Sequence, residues 1–286
     1  NVSKYRKKSE SYDCIVPISG ANDSYFIIDT VKNKLKLNPL LVCYNKYFNT
    51  KIGIQNLANL RIKFNCDIIY QNINPLKIKK IIQSTFREFG SIYWPILAGH
   101  SNFPVQIANK YKIPLIIWGA HQGLEQVGMF SHLNKVEMTR RYRKEHDLLG
   151  FEAEDLLSSF NTLSNSDISN FIYPSHSDIF VNKIRGIYLG NYIRWDPKAQ
   201  HEKMIKKYGY RSTKLSRTFD TYDHVDCFNY INIHDILKLY KHGYSKVTDH
   251  ATREIRHKRI SREEGISLVR KYELNSDLYR KQFCDW

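Results

Sequence analysis

The amino-acid sequence predicts an α/β fold, a doubly wound parallel sheet followed by a mostly helical C-terminal region. Two observations predict it. Short apolar runs alternate with amphipathic segments of helical period in the first part of the chain, and these runs are apolar throughout, as strands buried on both faces are. Toward the C-terminus the patterns are mostly helical. We therefore predict an α/β domain at residues 1–165 and a helical, substrate-binding region at residues 166–286.

Four apolar runs are predicted to be the strands. They are Tyr12–Ile18, Pro39–Tyr44, Cys66–Tyr70 and Pro114–Gly119. Helices are predicted between them, at Ser24–Lys34, Thr50–Phe64, Pro75–Phe89 and near Phe103–Tyr111. Helical crossovers make such strands parallel, and ligands bind at the carboxyl ends of parallel strands. The expected site therefore lies just after Ile18, Tyr44, Tyr70 and Trp118.

The second half of the chain carries weaker strand signals. Gly186–Trp195 predicts a final strand or a turn, and the Ser- and Asn-rich stretch Ser158–Ser169 predicts an exposed connection. Helices are predicted at Lys135–Asp147 and Asn232–Lys241. A further helix begins at Ser261, because Glu264 completes a capping box with it.

Composition narrows the class of protein. The 286 residues are 42% hydrophobic, which is typical of a globular chain, and no run is long and apolar enough to span a membrane. The N-terminus lacks the apolar run of a signal peptide, and the five cysteines form no CxxC pair. We expect reduced thiols and a cytoplasmic location. The net charge of +16 favours anionic partners. Because the basic residues are distributed along the whole chain, the charge does not indicate which anionic partner binds.

The segment Ser19–Ser24, sequence SGANDS, follows an apolar strand and precedes a helix. Small residues allow a sharp turn whose N–H groups approach a phosphate, and the helix N-terminus adds about half a positive charge. Ser19 and Ser24 can donate hydroxyl hydrogen bonds, and Asp23 can cap the helix or hold Mg²⁺. The alternative is an ordinary strand-to-helix turn. The spacing matches neither a Walker A loop nor a dinucleotide fingerprint.

This strand–turn–helix unit resembles the PP-loop, S-G-G-x-D-S, of the ATP pyrophosphatases, whose fold is adenine nucleotide alpha hydrolase-like. The resemblance extends from Tyr12 to Tyr272, where the chain is similar to the N-acetyl sugar amidotransferases of lipopolysaccharide O-antigen and pseudaminic-acid-type flagellin sugar biosynthesis. The matching segments include YDCIVPISGANDSYF, NPLLVCYN, IGIQNLANL, FPVQIANKYKIPLIIWG, LGNYIRWDPKAQ and IHDILKLYKHGYSKVTDHATREIRHKRISREE.

The resemblance implies an activity. An enzyme of this family is expected to use ATP and Mg²⁺ to adenylate the N-acetyl oxygen of a UDP-linked acetamido sugar. Ammonia from a separate HisH-like glutaminase then replaces that oxygen and gives an acetamidino sugar. Neither a membrane nor a nucleic acid is expected as a partner.

The resemblance also implies roles for individual residues. Asp23 and Glu125 are the expected catalytic residues, with Asp23 the candidate Mg²⁺ ligand. The expected nucleotide-binding residues are Ser19, Gly20, Ala21, Asn22, Asp23, Ser24, Tyr44, Asn45 and Gly119. The expected substrate-binding residues are Trp195, Asp196, His234, Asp235, Asp249, His250 and Arg256. For several of these residues the alternative to a functional role is an ordinary structural one: a core tryptophan, helix caps, a surface glutamate and a surface ion pair.

Two positions depart from the family pattern. Ala21 stands where the family has a second loop glycine, and it would be strained by about 1 kcal/mol if that position required a positive φ. Asn22 stands where the family usually has lysine, which removes a cation from the phosphates. These departures leave open a degenerate, non-catalytic nucleotide-binding homologue. The PP-loop and the net charge of +16 also leave open a PP-loop thiolating enzyme acting on tRNA or a metabolite.

Overall fold

A five-stranded parallel sheet forms the centre of the protein. The computed structural model describes residues 2–7, 11–120, 136–159, 162–275 and 279–286. The strands are β1 (Cys14–Ile18), β2 (Pro39–Tyr44), β3 (Ile68–Gln71), β4 (Leu115–Trp118) and β5 (Arg185–Tyr188). Their order is β3-β2-β1-β4-β5, and each adjacent pair is parallel. From β1 the strand order continues through β2 to β3 at one edge, and from β4 it continues to β5 at the other edge. This confirms the predicted doubly wound sheet and places its switch point between β1 and β4.

The helices of the first half lie close to their predicted positions. They are α1 (Asn22–Ile28), α2 (Lys51–Phe64), α3 (Pro75–Phe89) and α4 (Trp94–Tyr111). A π-helical stretch, Asp29–Lys34, continues α1 to the predicted end. The prediction for α4 was wrong at its start, which is Trp94 and not Phe103. Pro95 occupies the first turn of this helix, where its missing N–H costs nothing, and Pro104 is accommodated in its interior.

The second half is mostly helical, as predicted. Its helices are α5 (Arg140–Tyr142), α6 (Ala153–Ser159), α7 (Asn165–Ile168), α8 (His176–Val181), α9 (Pro197–Tyr208), α10 (Asp235–His242), α11 (Lys246–Arg256), α12 (Arg262–Tyr272) and α13 (Arg280–Asp285). The capping box of Ser261 and Glu264 at the start of α12 is confirmed. The predicted Asn232–Lys241 helix is divided into a π-helical turn, Tyr230–His234, and α10.

The helix predicted at Lys135–Asp147 is shorter within the described residues, and the structure gives a reason. Glu137 forms an ion pair with Arg185 of β5, and the backbone N–H of Met138 donates to the carbonyl of Gly186. These contacts hold the segment beside the sheet edge, so α-helix begins only at Arg140. β5 lies at the start of the segment Gly186–Trp195, for which a final strand or a turn was predicted, so the sheet takes its last strand from the mostly helical region. The division at residue 165 stays a prediction.

Both faces of the sheet are covered, which explains why its strands are apolar throughout. Ile15, Leu40, Val42 and Ile116 point to the face packed by α3 and α4. The alternate residues of the same strands point to the opposite face, where α1, α2 and α9 pack. The pleat therefore divides the strand side chains between two apolar layers. Within the ranges given above, no helix has the length and apolar character needed to cross a membrane.

Asp29 ties the π-helical stretch to α9. Its carboxylate, 1% exposed, accepts hydrogen bonds from Lys207 Nζ and Tyr208 Oη, each at 2.6 Å. Burial acts to raise the pKa of Asp29, but the hydrogen bonds from Lys207, Tyr208 and Asn33 outweigh it and lower the pKa to about 2. A carboxyl whose pKa is lower in the folded state stabilises the fold above its unfolded pKa, and this stabilisation is lost as the pH falls.

Replacing Asp29 with asparagine is therefore expected to lower the free energy of unfolding by about 2 kcal/mol near neutral pH. The difference from the wild type should persist down to about pH 4 and shrink between about pH 4 and 2, the interval between the two pKa values. Urea unfolding across that interval measures it. The exposed Asp285→Asn change is the control, and a D29N difference that stays constant through the acid range would contradict the prediction.

Candidate active site

A cavity of about 270 Å³ opens at the carboxyl ends of the strands. Residues after β1, β2 and β4 line it, as predicted for positions following Ile18, Tyr44 and Trp118. β3 ends farther out in the sheet, and the residues after Tyr70 do not line the cavity. The C-terminal region supplies the opposite wall, through Pro197 and the segment Tyr222–His224. The cavity is thus shared between the first strand-to-helix turn and the C-terminal region.

The turn after β1 is held by its own side chains. The Ser19 backbone N–H donates to Ser24 Oγ at 3.0 Å, and the Ala21 N–H donates to Ser19 Oγ at 3.3 Å. Gly20 has φ +82°, the left-handed region that favours glycine, whereas Ala21 has φ −73° and ψ 171°, which is ordinary extended backbone. The strain considered for Ala21 is therefore absent. The glycine that this turn requires is present at position 20.

Asn22 and Asp23 form the first turn of α1, and both line the cavity. The Asn22 side chain is 3% exposed, and its Nδ2 donates to the carbonyl of Pro197 at 3.4 Å, which links the turn to α9. Its Oδ1 is buried and has no hydrogen-bond partner among the described groups. Asp23 supplies a carboxylate to the cavity, the type of oxygen ligand that Mg²⁺ prefers, so its predicted role fits its position.

Aromatic residues form the wall beside β2 and β4. The Tyr44 ring lies directly on Gly99 of α4, where an added Cβ would come within 2.2 Å of the ring. Tyr44 Oη, His100 Nε2 and Trp118 Nε1 are buried, and none has a partner in the described part of the chain. Burial and the nearby charge of Lys46 lower the pKa of His100 to about 3, so its imidazole is neutral near pH 7. Unsatisfied buried polar atoms are uncommon, and a bound ligand or water is the usual explanation.

The segment Tyr222–His224 was missed by the sequence analysis. A network beneath the cavity holds it: Asp220 Oδ1 accepts from the backbone N–H groups of Tyr222 and Asp223, each at 2.8 Å, and Arg253 forms ion pairs with Asp220 and Asp223. His250 Nε2 lies 3.1 Å from Asp223 Oδ2. The predicted residue His250 thus contacts a cavity residue without lining the cavity itself. The signal in the sequence that could have indicated this segment is the D-x-x-D spacing of Asp220 and Asp223, which lies in a loop.

Lys46 was also missed. Two residues after β2, it lines the cavity with its side chain 6% exposed, and its Nζ is 2.7 Å from Asp226 Oδ2, itself 2% exposed. Asp226 packs on Gly53, where an added Cβ would lie 2.5 Å from the Asp226 Cα. A single lysine in the loop after β2 gives no signal in the sequence, because its burial depends on this tertiary contact.

With the exception of Gly119, the other predicted residues within the described ranges do not line the cavity. Gly119 lines the cavity, and Trp195 packs behind it, 3.3 Å from where a Gly119 Cβ would stand. Asn45 instead donates to Asn72 and accepts from the backbone of Tyr47. Glu125 lies outside the described residues.

Four of the predicted substrate residues are engaged in other contacts, three of them within the helical region. Asp196 caps α9 and pairs with Arg259, Asp235 pairs with Arg217 at 2.7 Å, and Asp249 pairs with Lys238. His234 packs on Tyr93 with ring centroids 5.0 Å apart. Arg256 is exposed. The structure does not bring these residues together at the cavity, and their roles in substrate binding stay predictions.

The chain is similar in part to known proteins. An uncharacterized protein of Methanocaldococcus jannaschii, MJ1599, is 33% identical over 67 residues, which are 23% of this chain and 24% of that protein, so the match spans about a quarter of the relative. The structure of NMN synthetase from Francisella tularensis aligns with a TM-score of 0.33 and 12% identity over 72% of this chain and 88% of that one, a likeness too low to support an argument.

Residues 202–286 match the family model described as LPS biosynthesis protein WbpG-like, C-terminal domain. This range contains the cavity wall Tyr222–His224 and the network that holds it. The C-terminal region is therefore similar to the C-terminal domain of WbpG-like lipopolysaccharide biosynthesis proteins, which confirms for that part of the chain the resemblance predicted from its sequence.

Proposed function

We propose that this protein is an ATP-dependent amidotransferase that converts the N-acetyl group of a UDP-linked acetamido sugar into an acetamidino group. The observation that carries the proposal is the shared cavity: the SGANDS turn faces a wall supplied by the WbpG-like region. A nucleotide held by the turn and an acceptor held by the C-terminal region would meet there. The buried polar atoms without partners on Asn22, Tyr44, His100 and Trp118 support a polar ligand in this place.

The proposed reaction has two steps. The amide oxygen of the sugar attacks the α-phosphorus of ATP and releases pyrophosphate, and the amide loses its N–H proton as an O-adenylated imidate forms. Ammonia then adds to the imidate carbon, and AMP departs with the original oxygen. Amide, ammonia and ATP thus give amidine, AMP and pyrophosphate, with no other co-reactant.

The residues at the cavity suit this chemistry. The turn at 19–24 would hold the phosphates, and Mg²⁺ beside Asp23 would neutralise part of their charge. Burial, above all, lowers the pKa of His224 to about 4, so His100 and His224 are both neutral near pH 7 and can accept hydrogen bonds from ammonia or an amide. The proposed source of ammonia is a separate HisH-like glutaminase.

The test is release of pyrophosphate and AMP by the full chain with ATP, Mg²⁺ and an ammonium salt. We expect release to require a UDP-acetamido sugar, and the sugar product to gain NH in place of oxygen by mass spectrometry. Pyrophosphate release that is indifferent to every UDP-acetamido sugar would contradict the amidotransferase. A thiolating enzyme is less well supported, because burial raises the pKa of Cys43, the cysteine next to Tyr44 in β2, to about 12 and suppresses its nucleophilic thiolate.

The degenerate homologue is motivated by Asn22, whose buried amide occupies the place of the family's lysine. Wild-type turnover in the same assay would exclude it. Activity that appears only after Ala21→Gly and Asn22→Lys together would support it.

A further inference from the structure

The cavity combines a turn suited to phosphate with very little fixed positive charge. Among the described residues that line it, Lys46 is the one lysine or arginine. His100 and His224 carry no charge near neutral pH, for the reasons given above. A bound triphosphate brings about four negative charges, and in a partly buried site such charge requires nearby cations.

Lys46 is connected to the phosphate turn through two close packing contacts. Its partner Asp226 lies against the α-carbon of Gly53, and the Gly53 carbonyl lies 3.2 Å from where a Cβ of Gly20 would stand. The segment that carries Asp226 is fixed to the chain after β2, because Thr50 N–H donates to the Asp226 carbonyl at 3.1 Å and Phe228 N–H donates to the Phe48 carbonyl at 3.0 Å. Lys46, Gly53 and Gly20 therefore belong to one packed unit.

The charge of Lys46 acts on the cavity. It contributes to the lowered pKa of both His100 and His224, which lie on the cavity wall. Asp226 compensates this charge only partly, because it acts on the pKa of both histidines in the opposite direction and less strongly than Lys46 does. The ammonium is thus held in place by a carboxylate, a common way to orient a lysine toward an anionic ligand.

We propose that Lys46 binds the β,γ-phosphates of the nucleotide and replaces the cation that is missing at position 22. The inference rests on the proposed ATP-dependent function. The residue that compensates the phosphate charge would then follow the end of β2, with Asp226 as its positioning residue.

Isothermal titration of the full chain with ATP, inorganic pyrophosphate and AMP tests this. Lys46→Met combined with Asp226→Asn removes both buried charges, so neither is left unpaired. We expect this double variant to bind ATP and pyrophosphate about tenfold or more weakly than the wild type, with AMP affinity changed little. Lys46→Arg should keep most of the pyrophosphate affinity. Asp226→Asn alone should also keep most of it, because the asparagine side-chain oxygen can still accept a hydrogen bond from the ammonium and hold it in place.

Lys80→Met is the matched control, since Lys80 of α3 forms an ion pair with Asp167 of α7, outside the cavity. A folded double variant that binds pyrophosphate as tightly as the wild type would show that Lys46 serves only its ion pair, and would leave the proposed function standing. Equal losses in Asp226→Asn and Lys46→Met would also overturn the inference. A wild-type chain that binds neither ATP nor pyrophosphate would instead remove the proposed function itself.

Discussion

Replacing Gly20 with alanine is expected to weaken ATP binding by about tenfold or more and to destabilise the fold. At φ +82° an alanine costs roughly 1 kcal/mol through its backbone alone. Its Cβ would also stand 3.0 Å from Leu57 Cβ and 3.2 Å from the Gly53 carbonyl oxygen, so the turn must move away from α2. Because the same turn lines the cavity, its displacement moves the groups proposed to hold phosphate.

Gly150 provides a matched control for this change. It has φ +89°, and no described atom lies within 4 Å of an added Cβ. Gly150→Ala therefore carries the backbone cost without the contacts. Titration with ATP and urea unfolding of both variants separate the two effects. Equal nucleotide affinity in G20A and the wild type would show that the turn is an ordinary strand-to-helix connection.

Replacing Arg253 with methionine is expected to destabilise the protein by about 3–5 kcal/mol, the range for breaking a buried ion pair from one side. Its guanidinium pairs with Asp220 and Asp223 and donates to Tyr222 Oη at 3.0 Å, and the Asp220 side chain is 1% exposed. Without the arginine, the buried Asp220 carboxylate loses its ion pair, and the partly buried Asp223 carboxylate keeps only His250 and other neighbours to compensate its charge. The wall Tyr222–His224 should then lose its position, and acceptor binding should fall with it.

Arg141 is the control for this second change. It forms an exposed i,i+4 ion pair with Glu145, and such pairs contribute little. Urea unfolding of Arg253→Met, Arg253→Lys and Arg141→Met gives the three free energies. If Arg253→Met is no less stable than Arg141→Met, the network does not hold the cavity wall.

Much of the fold was predictable because its signals are local. The strands that form the centre of the sheet are continuous apolar runs, and the turn at Ser19–Ser24 sits between the first of them and a helix in the sequence itself. Capping residues such as Ser261 and Glu264 act within four residues, so their pairing was visible too. The predictions failed where contacts between distant residues determine the local structure. Glu137 and Met138 are an example, because their contacts with β5 hold them at the sheet edge and delay the start of the predicted helix.

The amino-acid sequence by itself determined the parallel doubly wound sheet, the placement of a phosphate-type turn after its first strand, and the likeness of the C-terminal region to a lipopolysaccharide biosynthesis domain. Only the tertiary structure decided that Gly20, and not Ala21, takes the left-handed conformation, and that Lys46 and Tyr222–His224 complete the cavity. Periodicity records which face of an element is buried. It does not record which residues meet across separations such as the 180 positions between Lys46 and Asp226, where burial and charge depend on the packed chain.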